Sequence, residues 1–203
     1  MSKSPTRTCE SRHWLRHTCV RTLAAATVAM GLLSSIGEVQ ARESLVRYDA
    51  VYYSGTGSYF QLVKDTREKR NGVSWQAAAN AAQQLTYKGR QGRLAVVDKP
   101  SIHALLLEAY PDRANLRYGG RAWIGLRYWC GSRMLTWVTL EEHRSSAFGP
   151  WARPWHRSRV TCASNIPYMG VFYENNNQWV AEGPLKRFPF YFVEYPTDTA
   201  AGG

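Results

Sequence analysis

The sequence lacks the residue groupings on which most catalytic and metal-binding sites depend. It holds four cysteines, with no Cys-x-x-Cys pair and no Cys/His cluster at metal-ligand spacing, so a structural zinc has no visible ligand set. Neither Gly-x-Ser-x-Gly nor His-Glu-x-x-His occurs, which removes the sequence signatures of serine hydrolases and zinc peptidases. We therefore predict no cofactor, no metal site and no enzymatic activity.

The titratable residues do not form a catalytic group either. After residue 41 the histidines are His103, His143 and His156, and each is isolated in the sequence. Glu141 and Glu142 are adjacent, and neighbouring side chains of a strand point to opposite faces, so shared acid/base work by the two carboxylates is not expected. We predict no catalytic residue.

A long apolar run is also missing. The most apolar segment, 22–36, is shorter than the ~20 residues that cross a bilayer as a helix. A basic stretch precedes it and Val39-Gln40-Ala41 follows it, which is typical of a secretory signal peptide over 1–41 with cleavage near Ala41. An uncleaved N-terminal anchor is the alternative interpretation. We expect an exported chain, periplasmic or secreted, with no transmembrane segment in its mature part.

Acidic residues are in the minority. The chain has 26 basic residues (Lys+Arg) and 15 acidic residues (Asp+Glu), of which residues 1–41 hold 5 and 2 respectively. Residues 42–203 therefore hold 21 basic and 13 acidic residues, a net charge of +8. This surplus favours an acidic partner. The basic residues are scattered without a nucleic-acid-binding motif, so no nucleic-acid partner is expected, and a generally solvated basic surface is the alternative.

The cysteines are consistent with export. Cys9 and Cys19 belong to the predicted leader, and Cys130 and Cys162 remain. An even pair in an oxidising compartment suggests one disulfide. Two unpaired buried thiols are the alternative.

The remaining chain is long enough for one domain with its own core. We expect residues 42–58 to be a lead-in segment, 59–196 the folded domain and 197–203 a flexible tail. Ser74 stands in an N-cap position before an apolar stripe that stops near Gly89, which predicts a helix.

A second helix is predicted from Asp98 to the residue before Pro111, because its apolar residues share one face. Short runs rich in aromatic and β-branched residues predict strands over 59–63, 93–97, 122–126, 135–138, 168–173, 178–180 and 190–195. Two early helices and several late strands indicate an α+β domain with antiparallel pairing.

The tryptophans fall into two groups. Those inside predicted elements are expected in the core: Trp75, Trp123, Trp137 and Trp179. Trp151 and Trp155 lie in an unpatterned stretch, where a tryptophan can equally cap the core or stack on a ligand.

Several landmarks occur in an order that resembles the C-type-lectin-like domain family. The matching runs extend from about Tyr59 to Pro196, and the tetrapeptide Trp123-Ile124-Gly125-Leu126 is the most specific of them. The others are Gly57-Ser58-Tyr59-Phe60, Ser74-Trp75-Gln76-Ala77-Ala78, Gly92-Arg93-Leu94-Ala95-Val96-Val97, Leu135-Thr136-Trp137-Val138 and Phe190-Tyr191-Phe192-Val193-Glu194-Tyr195. The last run resembles the terminal strand of bacterial members.

This resemblance implies a fold with two helices, two small antiparallel sheets, paired N- and C-terminal strands and a long loop region over about 139–167. In many family members that loop region binds ligand. A Cys130–Cys162 bond would fasten its two ends. The family functions in recognition, and fold alone does not choose among sugars, proteins and other surfaces.

Calcium binding is not expected. The family's calcium-dependent members carry a Glu-Pro-Asn-like or Gln-Pro-Asp-like motif and a Trp-Asn-Asp motif; the matching stretches here are 151–156 and Trp179-Val180-Ala181, which offer no side-chain oxygen. Calcium takes ~6–8 oxygen ligands. A different site built from Glu174, Glu182 and the Asn run is the alternative.

We therefore predict an exported, calcium-independent module that binds a carbohydrate or other surface ligand of anionic character. Aromatic faces stack on sugar rings, and Arg side chains grip carboxylate, sulfate or phosphate. The candidate ligand-binding residues are Trp151, Arg153, Trp155, His156, Arg157, Glu174, Asn175, Asn176 and Asn177. The alternatives are a plain turn for the Asn run and, for the whole chain, a protein-interaction or assembly subunit of the cell envelope that binds no sugar.

Overall fold

The computed structural model describes residues 45–67, 71–112, 120–152, 162 and 165–197. The chain divides into two units, Met1–Glu38 and Val39–Gly203, and the described residues all belong to the second. The signal peptide predicted over 1–41 lies outside the described residues, and so does the predicted tail after Thr197.

The two predicted helices are present. Helix α1 (Trp75–Gln83) begins after Ser74, whose side chain accepts a hydrogen bond from the Ala77 amide, as the N-cap prediction required. Helix α2 (Pro100–Ala109) has the prediction's boundaries to within two residues: it begins after Lys99, with proline in its first turn, because proline fits the first turn of a helix without losing a hydrogen bond.

The prediction that the first helix continues to Gly89 was wrong. Helix α1 ends at Gln83, and the next residues form a hairpin of β4 (Thr86–Tyr87) and β5 (Arg90–Gln91). The turn residues Lys88 and Gly89 both have positive φ, 49° and 76°. A two-residue hairpin turn of the type that matches strand twist needs this conformation, so the glycine serves the hairpin rather than a helix end.

Most strands belong to a single sheet. Besides β4 and β5, the described residues contain β1 (Leu45–Arg47), β2 (Val51–Tyr53), β3 (Ser58–Asp65), β6 (Arg93–Leu94), β7 (Ala122–Trp129), β8 (Met134–Trp137), β9 (Tyr168–Tyr173), β10 (Trp179–Glu182) and β11 (Phe190–Tyr195). Within the described residues these nine strands join in the order β1-β3-β11-β7-β9-β10, with β2 on β3, β6 on β11 and β8 on β7.

The sheet confirms the pairing of the terminal strands and adds detail that the sequence did not provide. Strand β11 runs antiparallel to β3, from Phe190 opposite Lys64 to Tyr195 opposite Tyr59. On its other side, β11 pairs with β7 in parallel. The segment expected as a lead-in contributes β1 and β2, which both pair with β3.

The core fills both faces of this sheet with aromatic and aliphatic side chains. The four tryptophans predicted to be core residues are at most 3% exposed, so that prediction is confirmed; they are Trp75, Trp123, Trp137 and Trp179. Helix α1 packs its buried alanines and Trp75 on one side, and α2 packs Ile102 and Leu106 on the other. Gly125 is required in β7, since a Cβ there would lie 2.7 Å from the Leu94 carbonyl oxygen.

Candidate functional site

The middle of the long loop region is fixed to the sheet at Trp151. The Trp179 amide donates to the Pro150 carbonyl at 2.8 Å, and the Ala152 amide donates to the Trp179 carbonyl at 3.0 Å. The Trp151 ring is half-buried and meets the buried Trp179 ring edge-on, with 5.4 Å between centroids. Trp151 therefore caps the core here; whether its remaining surface also contacts ligand stays a prediction.

His143 lies beneath this contact. The residue is 3% exposed, and its ring packs against Trp137 at 5.4 Å, Trp179 at 5.9 Å and Trp151 at 6.5 Å between centroids. Burial lowers the pKa of His143 from its ordinary value, and the negative charge of Asp98 opposes that shift only in part. The imidazole is therefore neutral at pH 7 and acts as an aromatic core residue. This role was not predicted from the sequence, because the contact with Trp179 joins His143 to a strand far along the chain.

The Asn run forms the tight connection between β9 and β10. The Glu174 amide donates to the Gln178 carbonyl at 2.8 Å, and Asn177 adopts a positive φ of 64°. Asn176 bonds within the turn, because its Oδ1 accepts from the Gln178 amide at 3.1 Å and its amide group donates to the Gln178 side chain at 2.6 Å. The turn interpretation thus accounts for this run, and Asn175 is exposed at its tip.

Glu174 has a partner of its own. Its Oε1 accepts from Arg121 Nε at 2.7 Å, and the two side chains are 27% and 42% exposed. An ion pair with that exposure contributes little to stability. It does satisfy the carboxylate, so an anionic ligand would meet less net negative charge at this turn than the sequence suggests.

The structure brings part of the predicted site together. Trp151 pairs with Trp179 at the start of β10, and Trp179 lies opposite Tyr173 at the end of β9, so Trp151 and the turn of residues 174–178 share one end of the sheet. Arg153, Trp155, His156 and Arg157 lie outside the described residues. Their part in ligand binding stays a prediction.

The predicted disulfide is present. Cys130 and Cys162 are bonded, with 6.0 Å between their Cα atoms and a sequence separation of 32. Cys130 follows β7, and its amide donates to the Pro167 carbonyl at 3.0 Å. The covalent bond and this hydrogen bond hold both ends of the long loop region against the core, as the family resemblance implied.

Sequence reasoning missed a polar cavity of about 280 Å³ where the sheet meets the start of α2. Its lining includes the buried Glu194 carboxylate, which accepts from Ser58 Oγ at 3.1 Å, Arg93 Nε at 3.1 Å and the Val96 amide at 3.2 Å. Asp98, Thr139 and Glu141 also line it. A signal existed in the sequence: Glu194 is a single acid within an aromatic strand, and a buried carboxylate needs partners of this kind.

This cavity has a different charge from the rest of the protein. Arg93 is already paired with Glu194, which leaves the carboxylates of Asp98 and Glu141 without a cationic partner on the cavity wall. The cavity therefore favours a polar or cationic group over an anion. An anionic ligand fits better elsewhere on the surface.

Two further observations limit the chemistry of the described part of the chain. Within the ranges 45–67, 71–112, 120–152 and 165–197 together with Cys162, no three His, Cys, Asp or Glu residues are grouped to hold a metal ion. No helix of that same part is both long and apolar enough to span a bilayer. Independence from calcium stays a prediction.

Comparison with known proteins supports the fold. No family model and no curated protein matches the sequence. Among solved structures, the C-type carbohydrate-recognition domain of cow CD23, in the presence of a GlcNAc2Man3 oligosaccharide, matches with a TM-score of 0.51 at 13% identity, over 73% of this chain and 94% of that one.

Two further structures agree. Human lithostathine matches with a TM-score of 0.51 at 16% identity, over 78% of this chain and 94% of its own. The C-type lectin CEL-I from Cucumaria echinata matches with a TM-score of 0.50 at 11% identity, over 70% and 91%. The predicted α+β, C-type-lectin-like fold is therefore confirmed, and at these identities the likeness is one of fold.

Proposed function

We propose that this chain is an exported binding module that recognises an anionic carbohydrate through its long loop region and does so without calcium. The observation that carries the proposal is the fold itself. It matches more than nine-tenths of the length of domains whose names describe carbohydrate recognition or a lectin.

The base of the loop region supports a ligand-binding role. The Cys130–Cys162 bond and the hydrogen bonds between Pro150, Ala152 and Trp179 hold the loop where it leaves the sheet. Ligand-binding loops on a fixed base lose less entropy when they bind, so less of the interaction energy is spent on ordering them. Trp155 and the cationic residues 153 and 157 would then lie between two anchored points of the chain.

Charge supports an anionic ligand. Residues 42–203 carry a net charge of +8, from 21 basic and 13 acidic residues. A cationic surface attracts carboxylated or sulfated saccharides and raises their association rate at low salt. The disulfide and the leader pattern support export, since disulfides persist in oxidising compartments.

A glycan array tests this function. We expect the mature protein to bind carboxylated or sulfated glycans in the presence of a chelator, and the triple variant Arg153→Gln, Trp155→Ala, Arg157→Gln to lose at least about tenfold in affinity, which corresponds to the loss of one or two good contacts. The matched control is Lys186→Gln, an exposed cation on another loop. Absence of glycan binding by a correctly folded protein would contradict the proposal.

One observation favours the alternative function, a protein-interaction or assembly subunit. Leu140 is 76% exposed and has a φ of 70°, at the turn that carries Thr139 and Glu141 of the cavity. An exposed leucine in a strained conformation next to a polar cavity suits contact with a protein partner. A pull-down from envelope extract with the mature protein and Leu140→Ser separates the two functions, because glycan binding does not require Leu140.

A further inference from the structure

A cationic side chain on the face of β7, Arg127, has no anionic partner in the described part of the chain. The guanidinium of Arg127 lies 4.1 Å from the ring centroid of Trp129, 5.0 Å from that of Trp75 and 6.0 Å from that of Tyr168. Its Nε is buried and has no hydrogen-bond partner among the described residues, and none of their ion pairs includes it. Aromatic faces attract the cation, but they accept no N–H hydrogen bond of ordinary strength.

The sheet register explains this arrangement. Arg127 is opposite Thr136 on β8 and Gly170 on β9, and Trp129 is opposite Tyr168. These positions share one face of the sheet, because cross-strand partners point to the same side. Gly170 leaves room for α1: a Cβ there would lie 2.7 Å from Trp75. The ring of Trp75 can therefore approach the sheet and support the guanidinium from one side.

Partial desolvation of the Arg127 guanidinium makes the binding of an anion beside it more favourable. Burial lowers the pKa of Arg127, and the interaction with Tyr168 offsets this only in part. Arg127, Trp129 and Tyr168 are all half-buried, so water has only partial access to the group. A cation that has lost hydration without gaining a counter-ion interacts more strongly with an added anion than a fully solvated one does.

A hydroxyl donor lies beside the guanidinium. Thr136 is 9% exposed, and its Oγ1 accepts from Trp129 Nε1 at 2.8 Å. Because the hydroxyl is used as an acceptor there, its own proton remains available for donation. The same strand face thus offers the guanidinium of Arg127 and the O–H group of Thr136, which together match an oxyanion with several oxygens.

We propose that Arg127, Trp129, Thr136 and Tyr168 form an anion-binding site, the arginine patch, which takes the carboxylate or sulfate of an acidic saccharide. The oxyanion accepts from Arg127 and Thr136, and the sugar ring lies against Tyr168 and the edge of Trp129, whose rings stand edge-to-face at 6.0 Å. None of its four residues belongs to the set of ligand-binding residues predicted from the sequence. It rests on the proposed function only in taking the ligand to be a saccharide.

An NMR titration of the mature protein tests the arginine patch directly. The probes are a trigalacturonate, a sulfated chondroitin disaccharide, neutral maltotriose and inorganic sulfate, and the signals followed are the Arg127 Nε–H and the Trp129 indole N–H. We expect saturable shifts of both signals with the two charged saccharides and none with maltotriose. Comparison of the two charged probes shows whether carboxylate or sulfate is preferred, and inorganic sulfate reports the anion contact alone.

The variants assign the effect to Arg127. Arg127→Gln should weaken binding of the charged saccharides at least about tenfold, and Arg127→Lys, which keeps the charge but loses the planar fork, should weaken it less. Arg133→Gln removes an equal charge from the β7–β8 turn of the same hairpin and should leave affinity within about twofold. Melting curves of each variant show that the fold is kept.

Three outcomes overturn the proposal. Equal affinity for maltotriose and the charged saccharides would show that the site does not recognise an anion. An equal loss of affinity in Arg127→Gln and Arg133→Gln would show that binding depends only on the net charge of the protein. Glycan-array binding that persists unchanged in Arg127→Gln would leave the proposed function intact and remove this site from it, so the two failures are distinguishable.

Discussion

The tryptophans of the sheet interior and those of the long-loop base are held in different ways. Trp75 and Trp123 are at most 1% exposed, and each donates its indole N–H to a backbone carbonyl, of Ile124 at 2.8 Å and of Val73 at 2.9 Å. Trp179 is equally buried, but its Nε1 has no hydrogen-bond partner among the described residues, and Trp151 above it is half-buried.

This difference separates tryptophans that only stabilise the fold from tryptophans that lie beside the long loop region. In the interior, each of these tryptophans is both closely packed and hydrogen-bonded, as expected for residues whose role is to stabilise the fold. At Trp179, ring contacts hold the side chain while its indole N–H has no partner among the described residues. Regions with less complete bonding are the ones from which binding surfaces are commonly drawn.

The largest effect is expected in the interior. Trp123→Ala should lower the free energy of unfolding by about 3–5 kcal/mol, because it removes a fully buried ring and leaves a cavity. Urea unfolding followed by circular dichroism measures this. A loss no larger than that of Trp151→Ala would remove the distinction between the two regions.

The disulfide is the next largest contributor. Replacing Cys130 and Cys162 with serine should cost about 3–4 kcal/mol in the chain-entropy model for a loop of this length. Unfolding of the oxidised protein, compared with the double variant, gives the value. The fluorescence of the interior tryptophans should be unchanged in the folded variant; a change there would mean that the bond supports more than the loop.

Trp151→Ala should have a smaller effect, about 1–2 kcal/mol, because the ring is only half-buried and buries less apolar area. We expect the same substitution to weaken glycan binding, since it loosens the point at which the loop leaves the sheet. The stability loss and the affinity loss are measured on the same preparation. A loss of about 3–5 kcal/mol without any change in affinity would place Trp151 in the core alone.

The sequence was sufficient for elements whose residues are decided locally. Ser74 and the apolar stripe after it specify α1, and the aromatic run 190–195 specifies the strand that closes the sheet. The buried tryptophans followed from their places in such elements. Local propensity, burial pattern and capping all agree at these positions, which is the condition under which sequence reasoning works.

The site was less predictable because it depends on contacts between distant residues. His143 packs against Trp179 of the distant strand β10, and the Glu194 network joins three separate strands or their flanks. The parallel pairing of β11 with β7 likewise has no local signature. The sequence leaves two predictions open for residues 175–177, a ligand-binding site or a plain turn. The hydrogen bonds of the folded hairpin identify the turn.

A smaller effect should appear in the pH dependence of stability. Burial holds the pKa of folded His143 below 6.5, so the unfolded chain takes up a proton first as the pH falls. The contribution of His143 is therefore complete above about pH 6.5 and is lost as the pH falls through the folded-state pKa. His143→Gln should flatten the dependence of stability on pH below about pH 6.5. Equal curves for wild type and His143→Gln would show that the ring is accessible to protons when folded.

The central claim, a calcium-independent glycan-binding module, is tested most directly by one titration. The chelator-treated mature protein is titrated by calorimetry with calcium, and then with its best array glycan in chelator and in excess calcium. The account predicts no calcium heat and the same glycan affinity under both conditions, because the stretch Trp179-Val180-Ala181 offers no oxygen side chain to a calcium ion. A saturable heat at micromolar calcium, or glycan binding that appears only when calcium is present, would contradict it.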